Sequence, residues 1–216
     1  MTFIITAGPT REYIDPVRFL SNPSTGWMGF AVARAAVEKG HRAILVAGPV
    51  SLKTPRGVER IDVVSAREML AAVEGAVKKN GAAVLIATAA VADWRPAKCA
   101  AKKLKKAEMK PILQLARNPD ILKTVKGVKK IGFAAETNDL IAEAKRKCRA
   151  KGLEMIVAND VTKPGAGFGV KTNRVTFLYK DGRSEALPLM SKLAVARRII
   201  ARAEAFRRGS AARADG

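Results

Sequence analysis

The sequence predicts an α/β fold, a doubly wound and mainly parallel sheet with helices on both faces. Short apolar runs alternate with longer stretches whose apolar residues recur at helical spacing, which is typical of parallel sheets. The run 82–87 is almost entirely apolar, as expected for a strand buried on both faces. With 48% hydrophobic and 27% charged residues, the 216-residue chain can bury a sizeable core. These observations favour a Rossmann-like arrangement.

The first half of the chain supplies four strands and two helices of this pattern. The expected strands are 3–6, 42–47, 58–63 and 82–87. A helix is expected over 30–39, because its apolar residues recur at helical spacing and Gly40 follows as a C-terminal cap. A second helix, 66–79, has Ser65 at its N-cap and Glu68 at the capping-box position.

The second half continues the alternation and then changes character. Further strands are expected at 112–115, 130–134 and 155–158, with a helix over 140–151 that ends at Gly152. Two apolar runs, 174–179 and 185–187, flank Lys-Asp-Gly-Arg, which indicates a β-hairpin. A final helix over 191–206 has one apolar face. We therefore expect one domain over 1–208, with a late hairpin and a C-terminal helix, and a disordered tail over 209–216.

The charge of the chain is strongly positive. Forty Lys and Arg residues against nineteen Asp and Glu residues give a net charge of +21, which favours polyanionic ligands such as nucleic acids, membrane surfaces or phosphorylated metabolites. A non-enzymatic nucleic-acid-binding protein is the alternative function. Aromatic residues make up only 5% of the chain, however, so nucleic acid is not the expected partner. A solvated helix face explains the C-terminal arginines, which are Arg197, Arg198, Arg202, Arg207, Arg208 and Arg213.

Compartment and metal content follow from what the sequence lacks. No run approaches the ~18 apolar residues of a membrane helix, and no basic region precedes the short apolar run at the N-terminus. Cys99, Cys148 and His41 are too few for a disulfide scaffold or a four-ligand zinc site. We therefore expect a cytoplasmic protein without zinc and without a membrane partner.

A loop of small and hydroxyl-bearing residues leads into the first expected helix. The free N–H groups of such a loop and of the helix N-terminus form a site for an anion. Residues 7–24 separate the helix from the first strand, and Ala47-Gly48-Pro49 stands where a dinucleotide-binding protein has an acidic residue. A nicotinamide cofactor is therefore not expected. The loop contains Ser21, Ser24, Thr25, Gly26 and Gly29.

Eight motifs, in order over residues 4 to roughly 200, make the chain similar to the phosphopantothenoylcysteine synthetases of coenzyme A biosynthesis. They are ITAGPTRE (5–12), IDPVRFLSN (14–22), STGWMG (24–29), AAVADWR (89–95), KLKK (103–106), NPDIL (118–122), GFAAETN (132–138) and ANDV (158–161). In many bacteria this synthetase is the C-terminal half of a fusion with a flavin-dependent decarboxylase. The chain resembles the stand-alone form. The resemblance implies a ligase that joins 4′-phosphopantothenate to L-cysteine through an acyl-cytidylate, with CTP as co-substrate.

The resemblance also implies which residues bind phosphopantothenate. An amide can donate and accept hydrogen bonds at once, which suits Asn22 for binding the pantothenate amide and steadying the acyl-nucleotide. The loop glycines would let the backbone approach the phosphate oxygens closely. Trp27 departs from the family, which usually carries a basic residue there. The implied substrate-binding residues are Gly8, Ser24, Gly26, Gly29, Ala90 and Asn159, together with Asn22, which is also implied to be catalytic.

The implied nucleotide site uses a second set of residues. Asp93, which we expect to end a buried strand, would bind a Mg²⁺ ion that bridges it to the triphosphate. Lys103 matches the catalytic lysine of the family and lies in a lysine-rich segment, 97–109, that we interpret as a flexible flap. Asp120 is a weaker candidate, since it also suits a helix N-cap. The family forms homodimers, and some active-site positions are closed across the dimer interface. The implied nucleotide-binding residues are Ala89, Asp93, Lys103, Asp120 and Phe133.

Overall fold

The structure is a computed structural model that describes residues 1–105, 112–136, 140–160, 165, 167 and 169–211. Its helices are α1 (Trp27–Glu38), α2 (Ala66–Asn80), α3 (Ile121–Thr124), α4 (Leu140–Ala150) and α5 (Lys192–Ala211). Its strands are β1 (Thr2–Ala7), β2 (Arg11–Tyr13), β3 (Phe19–Ser21), β4 (Arg42–Ala47), β5 (Val58–Asp62), β6 (Val84–Ala87), β7 (Trp94–Pro96), β8 (Leu115–Arg117), β9 (Lys129–Glu136), β10 (Met155–Asp160), β11 (Thr172–Asn173), β12 (Val175–Tyr179), β13 (Ser184–Ala186) and β14 (Met190–Ser191).

Within the described residues, the main sheet has eight strands in the order β13-β12-β10-β9-β6-β1-β4-β5. The strands from β10 to β5 are parallel, and the β12–β13 hairpin continues the sheet in the antiparallel sense. The chain winds from β1 outward to β5 and then returns to β6 on the other side of β1. This reversal between β1 and β6 creates a crevice at the carboxyl ends of the strands, where such folds bind ligands. The predicted doubly wound fold is confirmed.

Alternate residues of the buried strands fill two opposite layers. Phe3 and Ile5 face the α1 and α5 side, whereas Ile4 packs with α2 and α3 on the other face. Farther along the sheet, Ala144 and Cys148 of α4 pack on Ile156 and Leu178. Because both faces are covered, the central strands β1, β4 and β6 are mainly apolar, as the run 82–87 indicated, whereas the edge strand β5 carries charged residues and is partly exposed.

The turns that lead into β4, β6, β9 and β10 lie at the amino edge of the sheet, opposite the crevice. A glycine stands in each turn, and a methyl group built on any of the four would meet no atom within 4 Å. These turns are open to solvent. The four glycines are Gly40, Gly81, Gly127 and Gly152.

Most predicted elements of the main sheet are confirmed within a few residues, and the capping box of α2 is present. Ser65 Oγ accepts from the Glu68 N–H, and the Glu68 carboxylate accepts from the Val64 N–H at 2.9 Å. The predicted strand 112–115 is wrong: residues 112–114 form no strand, and Ile112 is 77% exposed. α1 begins at Trp27 rather than 30, and α5 continues to Ala211, past its predicted end at 206. The remainder of the predicted tail, 212–216, lies outside the described residues.

Two hairpins that were not predicted flank the crevice. The connection after β1 contains the β2–β3 hairpin, and β7 pairs with β8 across the lysine-rich segment. β2 packs against β7, so the two hairpins form one unit at this edge of the sheet. Within the described ranges, no helix is long and apolar enough to cross a membrane.

Candidate active site

A cavity of about 400 Å³ opens in the crevice at the carboxyl ends of β1, β6 and β9. Its lining brings together residues from both halves of the chain. Ten of the twelve residues predicted for the site line it: Asn22, Ser24, Gly26, Gly29, Ala89, Ala90, Asp93, Asp120, Phe133 and Asn159. Gly8 and Lys103 are described, but they are not among the lining residues.

One wall of the cavity is the N-terminus of α1. Gly26 is the N-cap residue, with φ of 78°, and no side chain caps the helix. Ser24 Oγ accepts from the Gly26 N–H at 3.3 Å, and Trp27, Met28 and Gly29 of the first turn line the cavity. The first N–H groups of a helix have no intrahelical partner, so this wall offers donors to an anion. The sequence prediction of an anion site here agrees with this geometry.

Glycine is required at this wall because three backbone segments meet there. The Cα atom of Gly8 would lie 3.4 Å from a Cβ atom built at Gly26, and a Cβ atom at Gly8 would approach Val50 Cγ1 to 2.9 Å. Gly8 therefore lies behind the loop and supports it. A Cβ atom at Gly29 would come within 2.4 Å of the Ala7 Cβ atom and 2.6 Å of Thr88 Oγ1. Gly29 thus lets α1 pack directly on β1.

Gly29→Ala is expected to destabilise the fold by about 1–3 kcal/mol, because the added methyl group overpacks the contact between α1 and β1. Gly75→Ala is the matched control: Gly75 lies in α2, where an added Cβ atom meets nothing within 4 Å. The control should stabilise by about 0.5–1 kcal/mol through helix propensity. Thermal denaturation of both variants measures the difference, and equal melting temperatures would contradict close packing at Gly29.

Asn22 links the α1 loop to the segment after β6. Its Nδ2 donates to the Ala90 carbonyl oxygen at 3.1 Å, and its own carbonyl oxygen accepts from the Ser24 N–H at 2.8 Å. The Ala90 N–H in turn donates to the Gly8 carbonyl oxygen at 2.9 Å. The Asn22 side chain is exposed at the mouth of the cavity, and these contacts fix its direction.

Two carboxylates also line the cavity. The prediction that Asp93 ends a strand is wrong, because β6 ends at Ala87 and Asp93 lies in the exposed loop that follows. The Asp93 carbonyl oxygen accepts a hydrogen bond from the Asn118 N–H at 2.8 Å. Asp120 is the N-cap of α3, where its Oδ1 accepts from the Lys123 N–H at 3.2 Å. Its Oδ2 also lies 3.0 Å from Lys151 Nζ. The structural role predicted for Asp120 is therefore present, although the residue also lines the cavity.

The inner part of the cavity is formed by β9, β10 and the start of α5. Phe133 is partly exposed there, and Asn159 is only 9% exposed. Among the described residues, Asn159 Oδ1 is a buried oxygen atom that accepts no hydrogen bond. Such an atom is costly to bury, so it indicates a donor on a bound ligand. Lys192 lies in the same region, with its Nζ donating to the Gly167 carbonyl oxygen at 2.9 Å.

Lys103 is exposed, and its neighbour Leu104 is held by a clamp. The buried Asp15 carboxylate accepts from the Leu104 N–H at 3.2 Å, and Arg18 Nη2 donates to the Leu104 carbonyl oxygen at 3.0 Å. The Arg18 guanidinium holds the pKa of the Asp15 carboxyl well below its usual range. The β2–β3 hairpin therefore anchors the predicted flap at Leu104. The part of that flap from 106 to 109 lies outside the described residues.

Sequence reasoning missed several polar residues that line the cavity. Asn118 is the first residue of the NPDIL motif, but no role was predicted for it. Its Nδ2 donates to the Ala92 carbonyl oxygen at 2.9 Å, and this hydrogen bond holds the Asp93 loop. Lysines at helix ends are common on protein surfaces, so nothing local distinguished Lys151 or Lys192. The missed residues are Thr88, Asn118, Lys151, Asn173 and Lys192.

In the described part of the chain, no group of three or more His, Cys, Asp and Glu residues could hold a metal ion. Mg²⁺ bound together with a nucleotide does not need such a group, because one or two carboxylates, substrate phosphates and water complete its coordination. Asp93, an exposed carboxylate on the cavity wall, fits this requirement.

Comparison with known proteins gives consistent relatives. The coenzyme A biosynthesis bifunctional protein CoaBC of Bacillus subtilis is 50% identical over 202 residues, which cover 91% of this chain and 49% of that protein. The chain thus spans about half the length of the curated relatives it matches. The crystal structure of the C-terminal domain of a CoaBC protein superposes with a TM-score of 0.81 and 42% identity, covering 96% of both chains.

A more distant structure shares the fold. A mutant of Cab2 in complex with phosphopantothenate-cysteine superposes with a TM-score of 0.78 at 15% identity, covering 97% of this chain and 88% of that chain. The model of the family described as the DNA/pantothenate metabolism flavoprotein C-terminal domain matches residues 1–206. The chain therefore belongs to this family, as the motifs of its sequence indicated.

Proposed function

We propose that the chain is a ligase that joins 4′-phosphopantothenate to L-cysteine, with CTP as the nucleotide co-substrate. The observation that carries the proposal is the cavity itself. It places an uncapped helix N-terminus, the Asn22 amide and the Asp93 carboxylate around one space of about 400 Å³ in a chain of this family. A phosphorylated substrate and a nucleotide need these groups on facing walls. The ligand named for the distant Cab2 structure is the product that this reaction would form.

The proposed reaction has two steps. The phosphopantothenate carboxylate attacks the α-phosphorus of CTP, and pyrophosphate leaves; the cysteine amine then attacks the acyl-cytidylate, and CMP leaves. Asn22 orients the pantothenate part, while the N–H groups at the start of α1 bind its phosphate. Phe133 and Asn159 contact the substrates at the inner wall, and Ala89 and Asp120 border the nucleotide. Lys103 stabilises charge on the triphosphate with its long side chain, which extends from the backbone that Asp15 and Arg18 hold at Leu104.

Asp93 is the residue that would hold Mg²⁺. When bound, the ion would neutralise the charge that develops on the departing pyrophosphate. The Asp93 loop is fixed from behind by Asn118, whose backbone and side chain both bond to it. A fixed backbone leaves only the Asp93 side chain to be ordered when an ion binds, which supports this assignment.

The two hairpins support a homodimer. Their apolar side chains are unusually exposed: Val17 is 57%, Leu115 45%, Trp94 44% and Phe19 38% exposed. β2 packs against β7, so these side chains belong to one structural unit beside the cavity. Exposed apolar side chains grouped on one structural unit are typical of an interaction site. We propose that a second copy of the chain covers it.

Two of the α5 arginines are engaged within the chain and give no support to the nucleic-acid alternative. Arg197 pairs with Glu38 at 2.9 Å, and Arg202 pairs with Glu185 at 2.9 Å. These α5 arginines are therefore partly neutralised within the chain, as expected of a solvated helix face.

The free thiols of exposed Cys99 and buried Cys148 are compatible with the cytoplasm as the proposed compartment.

The experiment that tests the function is pyrophosphate release by the purified chain. With CTP, we expect release only when phosphopantothenate is present, and slower release with ATP. Added cysteine should yield CMP and phosphopantothenoylcysteine. Equal rates with all four nucleotides would contradict the choice of CTP, and no release with any nucleotide would contradict the ligase function. Tight nucleic-acid binding that falls steeply with salt would then favour the alternative.

A further inference from the structure

Lys130 is a lysine of β9 whose side chain holds the end of α3. The residue is only 7% exposed, and its Nζ donates to the Leu122 carbonyl oxygen at 2.6 Å and to the Val125 carbonyl oxygen at 3.3 Å. Leu122 belongs to α3, and Val125 is the C-cap residue of this helix. The last carbonyl oxygens of a helix have no intrahelical partner, and they attract a cation. Lys130 therefore caps α3 from the sheet.

The helix α3 has only four residues, so it depends on groups outside itself. A single helical turn is not stable alone in water, and its two ends must be held. At the N-terminus, Asp120 Oδ1 accepts from the Lys123 N–H, whereas Lys130 holds the other end. β9 also supports the helix from below, since a Cβ atom built at Gly132 would lie 3.3 Å from Leu122 Cδ1. One helical turn therefore connects Lys130 to the Asp120 carboxylate.

The turn that Lys130 holds forms part of the cavity wall, because residues 120–122 line the cavity. Just before this turn, the Asn118 N–H donates to the Asp93 carbonyl oxygen at 2.8 Å. The segment 118–125 is thus tied to the Asp93 loop at one end and to Lys130 at the other. A loss of either tie would leave this wall without a fixed position.

We propose that Lys130 is a positioning residue, which fixes this wall of the cavity for the nucleotide. The inference rests on the proposed function, in which Asp120 borders the nucleotide and Asp93 would hold Mg²⁺. Without the Lys130 ammonium, the nucleotide would have to order the wall when it binds, and this cost lowers its affinity. Phosphopantothenate is assigned to Asn22 and the α1 loop, which Lys130 does not hold, so its affinity should not depend on Lys130.

Lys130→Met tests the proposal, because methionine is unbranched and removes both the charge and the donor. The measurement is the affinity for CTP with Mg²⁺, and separately for 4′-phosphopantothenate, by isothermal titration calorimetry. CTP should bind about 10-fold more weakly, the lower end of the loss expected when hydrogen bonds from a charged group are removed. The affinity for phosphopantothenate should be unchanged. In turnover, KM for CTP should rise while kcat changes little.

Lys129→Met is the matched control. Lys129 precedes Lys130 in β9, and its Nζ donates to the Phe206 carbonyl oxygen of α5. The same change therefore removes a lysine from a helix carbonyl group, but neither Lys129 nor Phe206 is among the residues that line the cavity. Both affinities of this variant should match those of the wild type.

Two further variants at Lys130 separate positioning from folding. Lys130→Arg keeps a cation with donors and should retain most of the affinity for CTP. Lys130→Gln keeps a neutral donor and takes the place of Lys130→Met if the latter does not fold, with a smaller loss in the same direction. If the variants without the charge weaken both ligands equally, or melt at a lower temperature with unchanged affinity for CTP, Lys130 only stabilises the fold and the proposal fails.

Failure of this proposal is distinguishable from failure of the proposed function. Wild-type protein that releases no pyrophosphate but binds CTP, with binding weakened in Lys130→Met and not in Lys129→Met, would refute the ligase function and retain the positioning role. Wild-type protein that is active, with an unchanged affinity and KM for CTP in Lys130→Met, would refute the role of Lys130 and retain the ligase.

Discussion

Lys103→Gln is expected to lower the rate of nucleotidyl transfer by about 10²–10³-fold, which is typical of removing one preorganised charge donor. The reason is that negative charge moves onto the departing pyrophosphate, and the Lys103 ammonium would stabilise it. The clamp supports this role, because Asp15 and Arg18 fix Leu104, the next residue. Single-turnover measurement of pyrophosphate release at saturating CTP isolates this step.

The controls are the neighbouring lysines. Lys102 and Lys105 are both exposed, so their glutamine variants should lose little activity. All three variants should melt within a few degrees of the wild type, because surface substitutions usually change stability by less than ~0.5 kcal/mol. An equal and modest loss in all three would mean that the segment attracts nucleotide nonspecifically. Lys103 would then have no catalytic role.

Asn22→Asp is expected to lower turnover by about 10²-fold or more while the fold is retained. Asn22 Nδ2 donates to the Ala90 carbonyl oxygen at 3.1 Å, and a carboxylate at this place would repel that oxygen. It would also set a negative charge beside the anionic substrate. The loss should appear in turnover with phosphopantothenate, whereas nucleotide binding alone should change little.

Asn80→Asp is the matched control for this variant. Asn80 Nδ2 donates to the Ala76 carbonyl oxygen at 2.8 Å at the end of α2, so the same chemical change is made outside the cavity. Turnover of Asn80→Asp should match that of the wild type. If Asn22→Asp melts like the wild type and keeps nearly full activity, Asn22 only holds the loop.

The main sheet could be predicted because burial leaves a clear pattern in a parallel strand. The run 82–87 contains the observed β6, whose residues are buried on both faces. The hairpins were missed because three-residue strands such as β2 and β7 have too few side chains to show a period. The strand predicted over 112–115 was wrong because its apolar residues were expected to be buried. Ile112 is exposed instead, so the apolar run does not mark a strand of the core.

The site was predictable only where its chemistry is local in sequence. The α1 loop carries its own signal, since small residues lead directly into a helix. Lys192 and Asn173 carry none, because they enter the cavity only through the winding of the sheet and the packing of α5 on α1. Asp93 was found by its motif but was wrongly assigned to a strand end, since nothing in the apolar run marks where pairing stops.

The open turns at the amino edge have a practical consequence for handling the protein. A six-residue strand such as β1 spans about 20 Å, so Gly40 and Gly81, which precede β4 and β6, lie about that far from the mouth of the cavity. The glycines themselves have positive φ, which disfavours other residues, so exposed Lys79 beside the Gly81 turn is the better position. A cysteine there, after Cys99 is replaced, would attach the molecule to a solid support in a defined orientation. The cavity would then face the solution, and immobilised protein could be used repeatedly to capture its ligands.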